Sequence, residues 1–417
     1  MNLKHVFLSV SVAMFFALSG AITITTDRSN AIYKSGEEAT FTVSPDTEAP
    51  ATQLKAVLSL DGGKKISETE IDSAQGGKIT AKLDAPGVLQ LHVSGVLNGK
   101  KVNVISGAAY DPEKITPAAE TPADFDKFWE NAIAEAKKLP LDPKVVKLDK
   151  WSNEKQTCYE VSVAAPGGRV YGMLTIPAGN QKYPLLLSVD QSGSGRNMPV
   201  LNQFGNRYAI LWMSVHSFQP TLSGSERSKA YDQVCRPLHY RFAGRESRET
   251  YYFYRAVSGL GRLIDFVAER PEINKNKISA FGESQGAGIL AMLAAFNPSI
   301  KALCLNVTAL CDHHGFTVGR RSGWPRLVHS RIAATSETAK YYDVINFCKK
   351  INVPVWMIAG LADTTCPPSG ICAAFNVIPS AKKVLILEPG MGHSSRSSYG
   401  NSLGKMRVWV DRLPDNK

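Results

Sequence analysis

The stretch "FGESQGAG" at 281–288 places Ser284 in a Gly-x-Ser-x-Gly setting. That spacing exposes a serine hydroxyl on a sharp turn between a strand and a helix, where it can attack a carbonyl. A second match, Gly400-Asn401-Ser402-Leu403-Gly404, competes with it. Context separates the two. Ser284 follows the apolar run 278–281 and opens the apolar stretch "QGAGILAMLAAF", which Asn297-Pro298 ends. Such text predicts strand, turn and helix in succession. Ser402 follows the polar "HSSRSSYG" and has no histidine after it, so it reads as the N-cap of a last helix around 404–412.

A serine nucleophile needs a general base, and the base needs a carboxylate to orient it. When the nucleophile sits on such an elbow, the three occur in the order Ser, Asp or Glu, His. His313, His314, His329 and His393 follow Ser284. His393 lies in "EPGMGHSS", directly after the apolar run 384–387, and Asp363 lies in "GLADTTCPPSG", directly after "VPVWMIAGL". Reactive groups of an open α/β sheet gather at the carboxyl ends of its strands, so Ser284, Asp363 and His393 are the expected catalytic set. The backbone N–H of Gln285, at a helix start, is the expected first donor to an oxyanion. The loop "QSGSGRN" supplies Ser192 as the candidate second donor.

Other chemistry-bearing residues read as structural. Glu283 within the elbow is expected to make a hydrogen bond or ion pair. "CDHH" at 311–314 has metal-ligand residue types, but adjacent histidines seldom converge, and neither a metal nor a cofactor is expected. Tyr251, Tyr252 and Tyr254 are expected to pack inside the fold.

These side chains need a scaffold. From residue 158, strand and helix signals alternate. "CYEVSVAAPGGRVYGMLTIPAG" reads as a hairpin, "YPLLLSVD" and "YAILWMSV" as buried strands, and 249–269 as a long helix. The pattern predicts an α/β-hydrolase doubly wound sheet. Residues 22–106 carry short alternating runs between "KSGEE", "DGGKK" and "DAPG" turns, which predict a small all-β, immunoglobulin-like sandwich. The Pro-, Ala- and Thr-rich stretch 107–120 reads as a linker, and 121–417 as the catalytic domain. That domain opens on a docking helix, with Thr121 as N-cap, Pro122 at N1 and Asp124 completing a capping box. Phe125, Phe128, Trp129, Ala132, Ile133 and Ala136 share its apolar face.

The opening "MNLKHVFLSVSVAMFFALSGA" reads as a secretory signal peptide over 1–21, cleaved near Ser19–Ala21. It lacks a lipobox cysteine, and no later run is long enough to span a bilayer. A periplasmic or secreted protein is therefore expected. Net charge is +11, with the Lys and Arg residues scattered. That argues for solubility, with at most a mild preference for acidic polysaccharide, and against nucleic acid. Seven cysteines, an odd number, leave at least one thiol free or paired between molecules. Cys366–Cys372 and Cys304–Cys311 are candidate disulfide pairs.

With these residues assembled, the chain resembles the acetyl xylan esterase and cephalosporin-C deacetylase family of carbohydrate esterases. The resemblance runs from about residue 120 to 415, through "TPADFDKFWENA", "YYFYRAVSGLGRLIDFVAERPEI", "ISAFGESQGAG", "LNVTALCD", "YYDVINFCKKINVPVWMIAGLADTTCPPS" and "GMGHSS". It implies Ser284 as nucleophile, His393 as general base and Asp363 as its partner. It also implies metal-free removal of acetyl groups from O-acetylated plant polysaccharide or oligosaccharide. A homo-oligomer is compatible with it, although the sandwich domain could block ring or dimer contacts. The family's H-G-Y-like text after strand "YPLLLSVD" is replaced here by "DQSGSG", and 217–247 lacks the family's usual residues. Alternatives are an esterase for a bulkier, feruloyl-type acyl group, a promiscuous small-ester hydrolase, a peptidase of related fold (which would lack its β-propeller), or a non-catalytic glycan-binding protein.

Overall fold

Runs with apolar side chains on both faces can be satisfied only inside a sheet covered on both sides. The computed structural model places such runs at the centre of a ten-stranded mixed sheet. It describes residues 6–7, 22–44, 51–97, 99–201, 205–328, 332–394 and 396–413. The cleavage region expected at Ser19–Ala21, like His329, lies outside them.

In spatial order the strands of the large sheet are Val6–Phe7, Lys383–Glu388, Val355–Gly360, Ile300–Asn306, Ile273–Glu283, Tyr183–Val189, Ala209–Ser214, Gly168–Pro177, Gln156–Ala165 and Lys144–Lys147. The first seven pair in parallel, and the last three join antiparallel. Every residue of Ala209–Ser214 is buried. The expected hairpin forms, with Gln156↔Pro177 through Ala165↔Gly168 in register.

Helices Phe253–Ala268, Gln285–Phe296 and Pro368–Asn376 pack on this sheet. Phe253, Val257, Leu260, Ile264 and Val267 are buried on the first, as the 3.6-residue spacing predicts. Among the described residues, no helix is long and apolar enough to cross a membrane.

The docking helix spans Phe125–Lys138 and buries Phe125, Trp129, Ala132 and Ala136. Trp129 Nε1 donates to the Tyr341 carbonyl at 2.9 Å. Its start differs from expectation. Asp124 occupies the N-cap without a side-chain capping bond. Its carboxylate instead accepts from Arg248 Nη1 at 2.7 Å and from the Tyr341 hydroxyl. Thr121 donates to Asn346 Oδ1 at 2.6 Å. Tertiary partners outcompete the local cap. The last helix runs Arg396–Arg412, so Ser402 lies within it and not at its N-cap.

The N-terminal residues form two smaller sheets. One has three strands, Thr23–Thr26, Ala39–Ser44 and Gly77–Ala81. The other orders Ile32–Tyr33, Lys100–Tyr110, Gly87–Leu97, Gln53–Leu60 and Lys65–Asp72. Phe41 and Val43 from the first share a buried core with Leu54, Leu91 and Val93 from the second. Strand Lys100–Tyr110 continues past residue 106, and Gly107 to Tyr110 are buried, because this strand packs against the large sheet's loops. All seven cysteines are free, so neither candidate disulfide forms.

Candidate active site

Strand Ile273–Glu283 delivers Ser284 to a turn that the backbone can make only under strain. Ser284 has φ 53° and ψ −123°, a region that non-glycine residues seldom occupy. The flanking glycines are there because of crowding. A Cβ on Gly286 would lie 2.3 Å from the Val189 carbonyl oxygen, and one on Gly282 would lie 2.8 Å from Ala287 N. The turn is fixed by Ser284 N donating to Asn306 O at 2.9 Å and by Ala309 N donating to Ser284 O at 3.1 Å.

The structure brings the three expected side chains together. His393 Nε2 lies 3.0 Å from Ser284 Oγ, and His393 Nδ1 lies 2.8 Å from Asp363 Oδ2. Asp363 is wholly buried, Ser284 is 7% exposed, and the His393 side chain between them is 23% exposed. The second carboxylate oxygen of Asp363 accepts from Thr365 N at 2.7 Å and from Cys366 N at 2.9 Å. With one oxygen held by backbone amides, the other is aimed at the imidazole. The acid and base loops are also joined to each other. Leu361 N donates to Glu388 O at 2.8 Å, and Ala362 N donates to Met391 O at 3.1 Å.

Gln285 begins helix Gln285–Phe296, where the first amides have no intrahelical acceptor. Its side chain does separate work. Gln285 Nε2 donates to the carbonyls of Asp190 and Gln191 at 3.2 and 3.3 Å, pinning the loop that carries Ser192. Ser192 is exposed. Glu283 ties the elbow to the same loop, accepting from Gln191 Nε2 and, at 3.1 Å, from Asn306 Nδ2.

A support beneath this loop was not visible in the motifs. The Tyr240 hydroxyl donates to Gln285 Oε1 at 2.8 Å and accepts from Gly193 N at 3.2 Å. His216 Nε2 lies 2.8 Å from Gly193 O, and His216 Nδ1 lies 2.7 Å from the Tyr252 hydroxyl. A carbonyl can only accept, so Nε2 carries the proton and Nδ1 accepts from Tyr252. Burial pushes the His216 pKa down to about 4, which keeps the ring neutral in this role. Asp190, at the end of strand Tyr183–Val189, is buried and pushed up to about 7 by desolvation. It accepts from Ser214 Oγ at 2.8 Å and from Arg196 N at 3.0 Å. Tyr240 and Tyr252 lie in the aromatic-rich stretch 217–254, and no motif in the sequence marks His216 or Asp190.

The residues expected to be structural take structural positions. Tyr251 donates to Arg241 O at 2.9 Å, and Tyr254 stacks on Trp129. In "CDHH", Asp312 pairs with Arg320 at 3.1 Å, while His314 Nε2 contacts Ser336 Oγ at 2.9 Å. The donor atoms of Asp363, Cys366 and His393 lie within 4.8 Å of one another. Two of these groups already bond to each other, and burial pushes the Cys366 thiol well above its usual range. The hydrogen-bonded chain accounts for the grouping without a metal.

Residues 111–409 match the family model described as acetyl xylan esterase (AXE1). The chain is 27% identical over 372 residues to the acetyl esterase Axe7A of Xylanibacter ruminicola, covering 85% of this chain and 83% of that protein. The solved acetyl xylan esterase from Paenibacillus sp. R4 superposes with a TM-score of 0.60 at 23% identity, over 72% of this chain and 98% of that one. Acetyl xylan esterase 1 from Thermoanaerobacterium sp. JW/SL YS485 also gives 0.60, at 20% identity, over 72% and 97%. These two likenesses speak for a shared fold, and the family model covers most of the chain. The chain belongs to the acetyl xylan esterase (AXE1) family of α/β-hydrolase-type esterases.

Proposed function

We propose that the protein is an exported serine esterase that removes acetyl groups from O-acetylated plant polysaccharide or oligosaccharide. The observation that carries this reading is the unbroken chain from Ser284 Oγ through the His393 imidazole to the buried Asp363 carboxylate. In it, Ser284 attacks the acetyl carbonyl as His393 takes the hydroxyl proton. The ester carbon becomes tetrahedral, and its oxyanion is received by the Gln285 amide and by the Ser192 N–H. His393 then protonates the departing sugar oxygen, leaving an acetyl group on Ser284. Water, deprotonated by His393, releases acetate and restores the serine. Asp363 orients the ring and stabilises the imidazolium at each proton transfer.

The acetyl specificity is supported by the family and by the relatives' named activities. Export is supported by the apolar leader 1–21, and an immunoglobulin-like module by the paired N-terminal sheets. The test is acetate release from acetylated xylan by the wild-type protein and by Ser284→Ala. Loss of about 10⁴-fold or more in kcat is expected of the variant. Equal release by both proteins, or none by either on xylan, feruloylated and synthetic esters, would overturn the reading.

A further inference from the structure

We propose that Gln90, a residue of the N-terminal sheets, is a positioning residue for the hydrolytic site, holding the loop that presents Asp363. The proposal rests on the esterase reading above and assigns the N-terminal sheets a part in it.

Gln90 lies in strand Gly87–Leu97 and is 1% exposed. Its Nε2 donates to the Leu361 carbonyl at 2.8 Å and to the Asp363 carbonyl at 3.3 Å. Both partners can only accept, so the orientation of the amide is fixed by chemistry. These two carbonyls flank the turn from which the Asp363 side chain reaches His393. A glutamine amide spends both of its donors on the backbone of one expected catalytic residue and its near neighbour, from more than 270 positions away.

The neighbouring contacts act on the same two loops. Gly107 N donates at 3.3 Å to the carbonyl of Pro389, which lies just ahead of His393 in the chain. A Cβ on Gly107 would sit 2.4 Å from the Leu361 oxygen, so only glycine lets the strand approach this closely. The buried Asp61 carboxylate accepts from Ser369 N at 3.3 Å, in the helix that follows the Asp363 loop. The N-terminal sheets thus grip the acid loop at both ends and touch the base loop as well. A small displacement of either loop would open the Asp363–His393 hydrogen bond, on which proton transfer depends.

Gln90→Met keeps the shape of the side chain and removes both donors. It is expected to lower kcat about tenfold with KM changed less than twofold. The low-field proton resonance of the His393 Nδ1–H donated to Asp363 should broaden or vanish. Gln90→Asn, too short to span both carbonyls, should show the same split and serves if the methionine variant does not fold. Phe41→Leu, in the core of the three-stranded sheet, is the control. It should lower the thermal midpoint comparably while leaving kcat per active site and the resonance intact. Unchanged kcat and resonance in both Gln90 variants would overturn the positioning role, as would an equal loss of kcat in Phe41→Leu. Wild-type hydrolysis that Ser284→Ala abolishes secures the esterase reading separately, so failure of one can be told from failure of the other.

Discussion

At the scale of single residues, the site depends on hydroxyls and amides whose partners are themselves held. Tyr240 shows this best. Its hydroxyl joins Gln285 Oε1 to Gly193 N, and so couples the helix that follows Ser284 to the loop carrying Ser192. Tyr240→Phe should lower kcat about tenfold with little change in KM, measured on a synthetic acetyl ester, because the proposed oxyanion donors lose their common support. Leaving the Gly193 N–H unpaired should also cost about 1–3 kcal/mol of stability in denaturant unfolding. Asp190 permits a test in pH. Desolvation raises its pKa from 3.8 to about 7 in the folded state. Its contribution to stability is therefore full below about pH 4 and is lost as pH rises towards about 7. Asp190→Asn can still accept from Arg196 N and can donate to Ser214 Oγ. The thermal midpoint of the variant relative to wild type should rise from pH 5 to pH 8. A constant difference across that range would remove Asp190 as the source.

At the scale of elements, the docking helix and the strand ends do the positioning. Trp129 is fully buried and bonded to Tyr341 O. Trp129→Ala should cost about 3–5 kcal/mol in urea unfolding, through lost burial and the cavity left behind. The sequence was informative where a residue's role follows from its own neighbours. Ser284, Asp363 and His393 each come directly after an apolar run, so a strand-by-strand reading put all three at one edge of one sheet. It was uninformative where the role depends on a distant partner. Nothing near Thr121 shows that Asn346 will claim its hydroxyl, and nothing near Gln90 shows that it faces Asp363. The start of the last helix was misjudged because "HSSRSSYG" is polar. Polar residues can still be helical.

At the scale of the whole molecule, seven free cysteines mean that packing, not disulfide bonding, holds the fold together. Six of the seven are buried, and only Cys235 is partly exposed. A reductant should leave the thermal midpoint unchanged, and a thiol reagent should label one cysteine quickly in the native protein. Rapid labelling of several would contradict the burial. The clasp between the N-terminal sheets and the acid and base loops also has a consequence in time. A ribosome completes the strands bearing Gln90 and Gly107 more than 250 residues before the segments bearing Asp363 and His393. The grip cannot close until segments this far apart in the chain meet, which is the slowest kind of contact to form. Enzymatic competence should then be the last property to appear when the denatured chain is diluted into buffer, trailing the return of the far-ultraviolet signal. A nascent chain would stay chemically silent until the segment bearing His393 had emerged and folded.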